Sequence, residues 1–136
     1  MVVQARDGGL VGVLHAVSLP GRVVADAADR GVPLELTMEA LTAVVKIRAV
    51  AVEEAVRGQG AASALLTRTL QWYFQLGFRM AYGQFHVGSG LEGFYTRLGF
   101  QVLDAGIPLD LYDSLGLPFK VYPEAEDRIF ACLNDR

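Results

Sequence analysis

The stretch that decides the fold runs from Val50 to Leu66 and reads VAVEEAVRGQGAASALL. It closes a hydrophobic run, after which Gly58 and Gly60 let the backbone bend and approach a ligand without a Cβ in the way. Ala61 and Ala62 then open a long helical pattern with small side chains. A strand, a glycine loop and a helix N-terminus together form an anion site, because the first N–H groups of a helix have no partner within it.

Arg57 adds a fixed positive charge and a fork of donors that suits phosphate, so we expect the loop to hold a diphosphate-bearing ligand. Two common nucleotide motifs do not fit the spacing. A P-loop needs Lys and then Ser or Thr after its second glycine, where this chain has Ala61 and Ala62. The dinucleotide fingerprint needs three glycines, whereas this loop continues as GQGAAS. The alternative is an ordinary glycine-rich turn that caps a helix.

Two motifs together give a family resemblance. Residues 57–62, reading RGQGAA, fit the Q/R-x-x-G-x-G/A motif of the GNAT acyl-CoA N-acyltransferases, and residues 94–100, reading FYTRLGF, resemble that family's FY-x-x-LGF motif. They occur in the family's order and at its separation, and the chain is similar to the family from about Gly9 to Val102. The resemblance implies an α/β (α+β) fold, in which helices flank a mixed, mostly antiparallel central sheet. We expect one such domain over residues 1–136.

The resemblance also implies a cofactor site for acetyl-CoA, the acyl donor, with no metal. Its pyrophosphate would bind the loop residues Arg57, Gly58, Gln59, Gly60, Ala61 and Ala62. Main-chain groups of Val50, Ala51 and Val52 would pair with the pantetheine arm, which then behaves like an added strand.

Acyl transfer from a thioester to an amine requires removal of a proton, a polarised carbonyl and a proton donor for the leaving thiolate. Tyr95 matches the family tyrosine that protonates the departing sulfur, although an aromatic ring there could also simply pack beside the cofactor. The candidates for the base are Glu53, at the end of a strand, and His86, whose side-chain type exchanges protons near neutral pH. Either residue could instead be structural or solvated. Gly88 stands where the family often carries an asparagine.

Composition excludes several classes of protein. Of 136 residues, 52% are hydrophobic and 20% are charged, which suits one domain with a substantial core. The net charge is −3 and no Lys/Arg cluster occurs, so we expect no nucleic-acid partner. A single cysteine, Cys132, allows no intrachain disulfide and fits the cytoplasm. We expect Cys132 to be a small buried apolar group. No signal peptide is evident, and no apolar run is long enough to cross a membrane.

The hydrophobic pattern predicts the following strands: Met1–Arg6, Leu10–Val17, Val44–Val52, Phe78–Val87, Phe100–Leu103, Phe119–Tyr122 and Arg128–Leu133. Asp7-Gly8-Gly9 is predicted to be a turn. Helices are predicted over Val23–Arg30, Ala61–Leu76, Leu91–Leu98 and Leu109–Leu115, whereas Leu34–Leu41 fits a strand or a helix. In Val44–Val52, alternation places Val45, Ile47, Ala49 and Ala51 on one face and Val44, Lys46, Arg48, Val50 and Val52 on the other. The long connection 18–42 could shape an acceptor pocket or be a surface excursion.

The sequence departs from the usual GNAT pattern at the beginning of the chain. GNAT domains usually begin with a further strand and two helices that wall the acceptor site, whereas we expect this chain to begin at the family's second strand. It would then be a naturally short member, a truncated chain, or a subunit whose missing wall comes from a partner. An open sheet edge favours pairing with another copy, so we expect a homodimer. The implied function is acetyl transfer to a primary amine of a small molecule or a protein, by direct attack in a ternary complex. The alternative is a catalytically degenerate domain that binds acyl-CoA as a sensor or regulator.

Overall fold

The computed structural model describes residues 2–4, 10–52, 58 and 60–135. Within these ranges the strands are β1 (Val2–Gln4), β2 (Leu10–Val17), β3 (Val44–Val52), β4 (Met80–Phe85), β5 (Gln101–Val102), β6 (Leu109–Asp110), β7 (Lys120–Val121) and β8 (Arg128–Leu133). The helices are α1 (Gly21–Asp29), α2 (Leu34–Ala43), α3 (Ala61–Gln75), α4 (Glu92–Arg97) and α5 (Leu111–Leu115). The predicted turn at Asp7-Gly8-Gly9 lies outside the described residues.

The main sheet has six strands in the order β1-β2-β3-β4-β8-β5. The pair β3 and β4 is parallel, and every other neighbouring pair of this sheet is antiparallel. A small antiparallel pair, β6 and β7, lies apart from it. The expected mixed, mostly antiparallel sheet with flanking helices is therefore confirmed.

The sheet separates two apolar cores. On one face, α3 and α4 pack over a core whose buried members are Leu14, Ile47, Leu65, Leu66, Phe85, Tyr95, Phe100 and Phe130. We call this the α3 face. The other face, which we call the α1 face, is covered by α1, α2 and the β6–α5–β7 segment, and its core includes Val23, Ala27, Ala40, Val44, Met80 and Tyr82. Along β4, Met80 and Tyr82 belong to the α1 face, whereas Phe85 belongs to the α3 face.

A β-bulge interrupts β3. His15 pairs with Ala49 and Ala16 pairs with Ile47, so Arg48 is the extra residue on its strand. An extra residue shifts the phase of the side-chain alternation. Val50 consequently packs against the same core as Ile47. The predicted assignment of Val50 to the opposite face from Ile47 is wrong, because strict alternation does not allow for a bulge.

The connection between β2 and β3 forms two helices that pack on the sheet. Each helix follows a proline, Pro20 or Pro33, whose missing N–H is not needed at a helix start. Segment 34–43, which the pattern left open between strand and helix, is helical and buries Ala40 and Ala43. Further along, α5 begins at Leu111 rather than Leu109, because the Asp110 side chain caps it by accepting a 2.9 Å bond from Tyr112 N. Of the described helices, none is long and apolar enough to span a membrane.

Candidate functional site

The two parallel strands at the centre of the sheet diverge. Their register runs from Val44 opposite Met80 to Ile47 opposite Gly83 and then stops. Beyond this point β3 continues beside β2, and β4 continues beside β8. No other described strand fills the space between them. The divergence opens a wedge at the centre of the sheet, and main-chain groups of β3 border it.

An aromatic ring lies against Gly83, at the closed end of the wedge. A Cβ at Gly83 would overlap the Phe130 ring and lie 2.7 Å from the carbonyl oxygen of Ile47. The residue opposite Gly83 on β8 is Phe130 itself. The Phe130 ring thus occupies the volume that a β4 side chain would take on the α3 face. A glycine is required here for space rather than for an unusual backbone conformation.

Tyr95 lies directly against this ring. The Tyr95 and Phe130 rings stack with centroids 3.7 Å apart and an interplanar angle of 11°. Phe85 stacks on Tyr95 from further away, at 5.5 Å, and Phe100 meets it edge-on at 5.7 Å. Burial raises the pKa of the Tyr95 phenol, so its hydroxyl remains protonated at neutral pH and can donate a hydrogen bond. The sequence-predicted acid is therefore held, protonated, beneath the point where the strands diverge.

The glycine loop leads from the end of β3 to the start of α3. Gly58 and Gly60 have φ of +82° and +80°, the left-handed region that favours glycine, and a Cβ on either would meet nothing within 4 Å. α3 begins immediately after Gly60, and no side chain among the described residues caps its N-terminus. Helix N–H groups without such a cap suit a diphosphate. Glu53, Arg57 and Gln59 lie outside the described residues.

His86 forms a dyad with a carboxylate that the sequence analysis missed. His86 Nδ1 lies 2.7 Å from Asp127 Oδ1, and since a carboxylate accepts only, Nδ1–H is the donor. The histidine side chain is 88% exposed and the aspartate side chain 9%, so Nε2 remains accessible as a proton acceptor. Asp127 immediately precedes Arg128, which pairs with Phe85. Only the antiparallel register of β4 and β8 brings the two residues together, and no local sequence signal marks Asp127.

Two further observations concern metal-ligating side chains and the single cysteine. The described residues contain no group of His, Cys, Asp and Glu side chains that could hold a metal ion. Cys132 lies in β8 and packs against the α3-face core. Burial, and secondarily the charge of Asp135, raise the pKa of its thiol, which favours the unreactive protonated form.

Comparison with known proteins agrees with the family resemblance of the motifs. Residues 2–100 match the acetyltransferase (GNAT) family. The chain belongs to this family. Among curated proteins, none matches the sequence.

Solved structures share the fold of this GNAT chain at low sequence identity. A putative phosphinothricin N-acetyltransferase superposes with a TM-score of 0.62 at 16% identity, over 99% of this chain and 70% of its own. Nourseothricin acetyltransferase superposes with a TM-score of 0.57 at 15% identity, over 97% of this chain and 62% of its own. A third structure is the PaiA N-acetyltransferase of Thermoplasma acidophilum, solved in complex with coenzyme A. It superposes with a TM-score of 0.58 at 12% identity, over 95% of this chain and 57% of its own. This chain therefore spans less than two thirds of the length of the last two proteins.

Proposed function

We propose that this GNAT domain transfers an acetyl group from acetyl-CoA to a primary amine of a small molecule or a protein, by direct attack in a ternary complex. The observation that carries the proposal is the wedge between β3 and β4, with Tyr95 stacked on Phe130 beneath its closed end. The glycine loop and the N-terminus of α3, which no described side chain caps, follow the strand that borders the wedge. A diphosphate and an extended amide chain could thus be bound by adjacent parts of one chain.

The cofactor contacts follow from this arrangement. Gly58, Gly60 and the first N–H groups of α3, at Ala61 and Ala62, would receive the diphosphate. Arg57 and Gln59 would add donors to it. The main-chain groups of Val50, Ala51 and Val52 border the wedge and would bind the pantetheine amides. The cofactor supplies the acetyl group already activated as a thioester.

The chain's own residues then move two protons. His86 Nε2 takes a proton from the acceptor amine, directly or through one water molecule, while Asp127 fixes the tautomer that leaves Nε2 unprotonated. A C–N bond forms to the amine as the C–S bond breaks, and Tyr95 donates its proton to the departing sulfur. The products are an N-acetyl amine and free coenzyme A. Glu53 remains the alternative base, and comparison of His86→Gln with Glu53→Gln distinguishes the two.

Thermal unfolding with and without acetyl-CoA tests the cofactor site. A ligand that binds only the folded state adds about 2.7 kcal/mol to its stability when present at roughly a hundredfold excess over Kd. We expect a raised melting temperature for the wild type and none for Gly60→Asp, whose carboxylate repels the diphosphate. Gly77→Asp is the matched control, since Gly77 also has positive φ but lies at the opposite end of α3. It should retain the response to acetyl-CoA.

Release of free thiol across a panel of primary amines then tests catalysis. Turnover supports the acetyltransferase, and binding of acetyl-CoA without turnover would favour the degenerate sensor. An unchanged melting temperature at millimolar acetyl-CoA would contradict both proposals.

The oligomeric state and the location remain proposals of their own. β1 forms one edge of the main sheet among the described strands, and an exposed edge can pair with a second copy. We propose a homodimer, which a mass measured in solution at micromolar concentration checks; the mass of one chain would contradict it. A cytoplasmic location rests on the use of a single cysteine.

A further inference from the structure

A buried tyrosine hydroxyl lies without a partner just before the wedge. Tyr82 on β4 is 1% exposed, and its Oη has no hydrogen-bond partner among the residues that the structure describes. Lys46 pairs with it across β3 and β4, one position before the register ends at Ile47 and Gly83. A buried polar group without a partner is uncommon in folded proteins and calls for an explanation. A ligand group at this place would provide one.

Two basic residues, Lys46 and Arg22, lie near this hydroxyl. Arg22, in the first turn of α1, acts electrostatically on both Tyr82 and Lys46. Arg48, the bulged residue of β3, also acts on Lys46. Burial, followed by the charge of Arg22, lowers the pKa of the Lys46 ammonium, and Glu124 opposes this change. Among the described residues, Lys46 and Arg22 are thus cations near Tyr82, and Glu124 is a carboxylate 3.9 Å from Arg22.

The N-terminus of α1 lies in the same part of the molecule, because Arg22 belongs to its first turn. α1 begins at Gly21 after Pro20, and no side chain in the described part of the chain caps it. The first N–H groups of a helix have no partner within it, and the helix dipole is positive there. Since Arg22 belongs to this first turn, the donors lie in the same part of the molecule as Lys46 and Tyr82. Positive side chains, helix donors and an unpartnered phenol are the groups that bind an anion.

Glu124 connects this cluster to the proposed base. It lies 3.9 Å from Arg22, and its backbone N–H donates a 3.3 Å bond to the side chain of Gln84, two residues beyond Tyr82. Its carbonyl oxygen accepts a 2.9 Å bond from the N–H of Asp127, the partner of His86. The loop that contains Glu124 therefore joins Arg22 to the pair formed by His86 and Asp127. Along β4, Tyr82 lies before the point where β3 and β4 diverge, and His86 lies after it.

We propose that the acceptor is an amine that also carries an anionic group, a carboxylate or a phosphate, and that this group binds between Lys46, Arg22 and the Tyr82 hydroxyl. The inference rests on the proposed function, because it names the acceptor class of that site. The anion is anchored on the α1 face, one residue before the wedge, and the amine extends from it towards the acetyl group. Neutral amines of the same skeleton lack the anionic group and so cannot bind to Lys46, Arg22 and Tyr82 in this way.

The test uses matched amines. For each of several skeletons, the α-amino carboxylate, its carboxamide and its aminophosphonate are compared at constant ionic strength, with free thiol release as the readout. We expect kcat/KM for the preferred anion to exceed that for the carboxamide by roughly tenfold or more, as is usual for hydrogen bonds to charged groups. The carboxylate and phosphonate arms show which anion fits. Equal kcat/KM for the anionic and neutral amines would overturn the proposal.

Variants separate a binding role from a structural one. Tyr82→Phe should raise KM for the anionic amine with little change in kcat, and it should raise the melting temperature because it removes an unpartnered buried hydroxyl. Lys46→Met should abolish the preference for the anion over the carboxamide. Arg68→Met is the control, since this exposed cation lies on α3, on the opposite face of the sheet. If Tyr82→Phe and Lys46→Met retain the preference of the wild type, the anion site is not there.

Failure of the acetyltransferase proposal can be recognised separately. If no amine is turned over, the catalytic proposal fails, and thermal shift alone then decides the binding proposal. The aminophosphonate and carboxylate should raise the melting temperature of the wild type more than the carboxamide does, and Lys46→Met should remove this difference. Equal shifts from the anionic and neutral compounds would contradict the anion site whether or not the protein is an enzyme.

Discussion

The two halves of β3 have the same hydrophobic character but different neighbours. Val44, Val45 and Ile47 pair with β4 and are at most 4% exposed. After the bulge, Ala49 and Ala51 are exposed, and the parallel register with β4 has ended. One strand therefore anchors the core with its first half and borders the candidate cofactor site with its second. The two halves differ in the strands that pair with them rather than in their own propensity.

The largest effect on stability is expected at Gly83, which lies on β4 opposite Ile47, where the first half of β3 ends. Gly83→Val places atoms where the Phe130 ring and the Ile47 carbonyl oxygen already lie, so the first half of β3 would lose its fit to β4. Overpacking of this kind costs about 2–3 kcal/mol of unfolding free energy. Urea unfolding measures the loss. Gly93→Ala, on the adjacent α4, is the control, because its nearest neighbour is the flexible end of Arg97 at 3.4 Å, and it should be neutral or stabilising.

A large effect confined to activity is expected for Tyr95→Phe. The substitution keeps the ring that stacks on Phe130 and removes only the proton donor, so the closed end of the wedge should remain intact. We expect kcat to fall by about a hundredfold, the lower range of general acid catalysis. Steady-state kinetics and the urea midpoint are measured together. A kcat within twofold of the wild type would show that Tyr95 acts through packing alone.

A smaller loss is expected at the far end of β4. Asp127→Asn removes the carboxylate that sets the tautomer of His86, and we expect kcat to fall on the order of tenfold, part of what a general base contributes. The KM for acetyl-CoA should not change. In a double-mutant cycle with His86→Gln, the effects should not add, since both substitutions disable one unit. Additive losses would indicate that Asp127 acts independently of His86, and Asp113→Asn provides a surface control.

The smallest effect concerns the pH dependence of stability around Lys46. Burial, then Arg22 and Arg48, lower the pKa of this ammonium below its ordinary 10.5, whereas Glu124 raises it. Below the folded-state pKa, the charged form is less favourable in the folded protein than in the unfolded chain. This cost disappears as the pH rises from the folded-state pKa to 10.5, because the unfolded chain then binds more protons.

Unfolding free energies of the wild type and Lys46→Met, measured from pH 7 to 11, check this sign. The wild type should gain stability relative to Lys46→Met as the pH rises. A difference that is constant across this range would mean that Lys46 is as well solvated in the folded protein as in the unfolded chain.

Much of the architecture could be predicted from local patterns. The alternating run Val44–Val52, the helical stripe after Gly60 and the turn glycines identified β3, α3 and α4 to within a few residues. Segment 34–43 could not be assigned, since short apolar patterns fit both a strand and a helix, and packing against the sheet decided for the helix. The faces of β3 were assigned wrongly after Arg48, because a bulge depends on pairing with β2 and leaves no local signal.

The sequence by itself determined the family, the strand–loop–helix unit around Gly58 and Gly60, and the position of Tyr95. These features depend on glycine at positive φ and on motifs whose residues are close in the chain. The tertiary structure alone decided the partner of His86, the stacking of Tyr95 on Phe130 and the placement of Tyr82 beside Lys46 and near Arg22. Each of these joins residues far apart in the chain. Strand register brings His86 to Asp127 and Lys46 to Tyr82, and helix packing on the sheet places Tyr95 and Arg22; no local pattern encodes either.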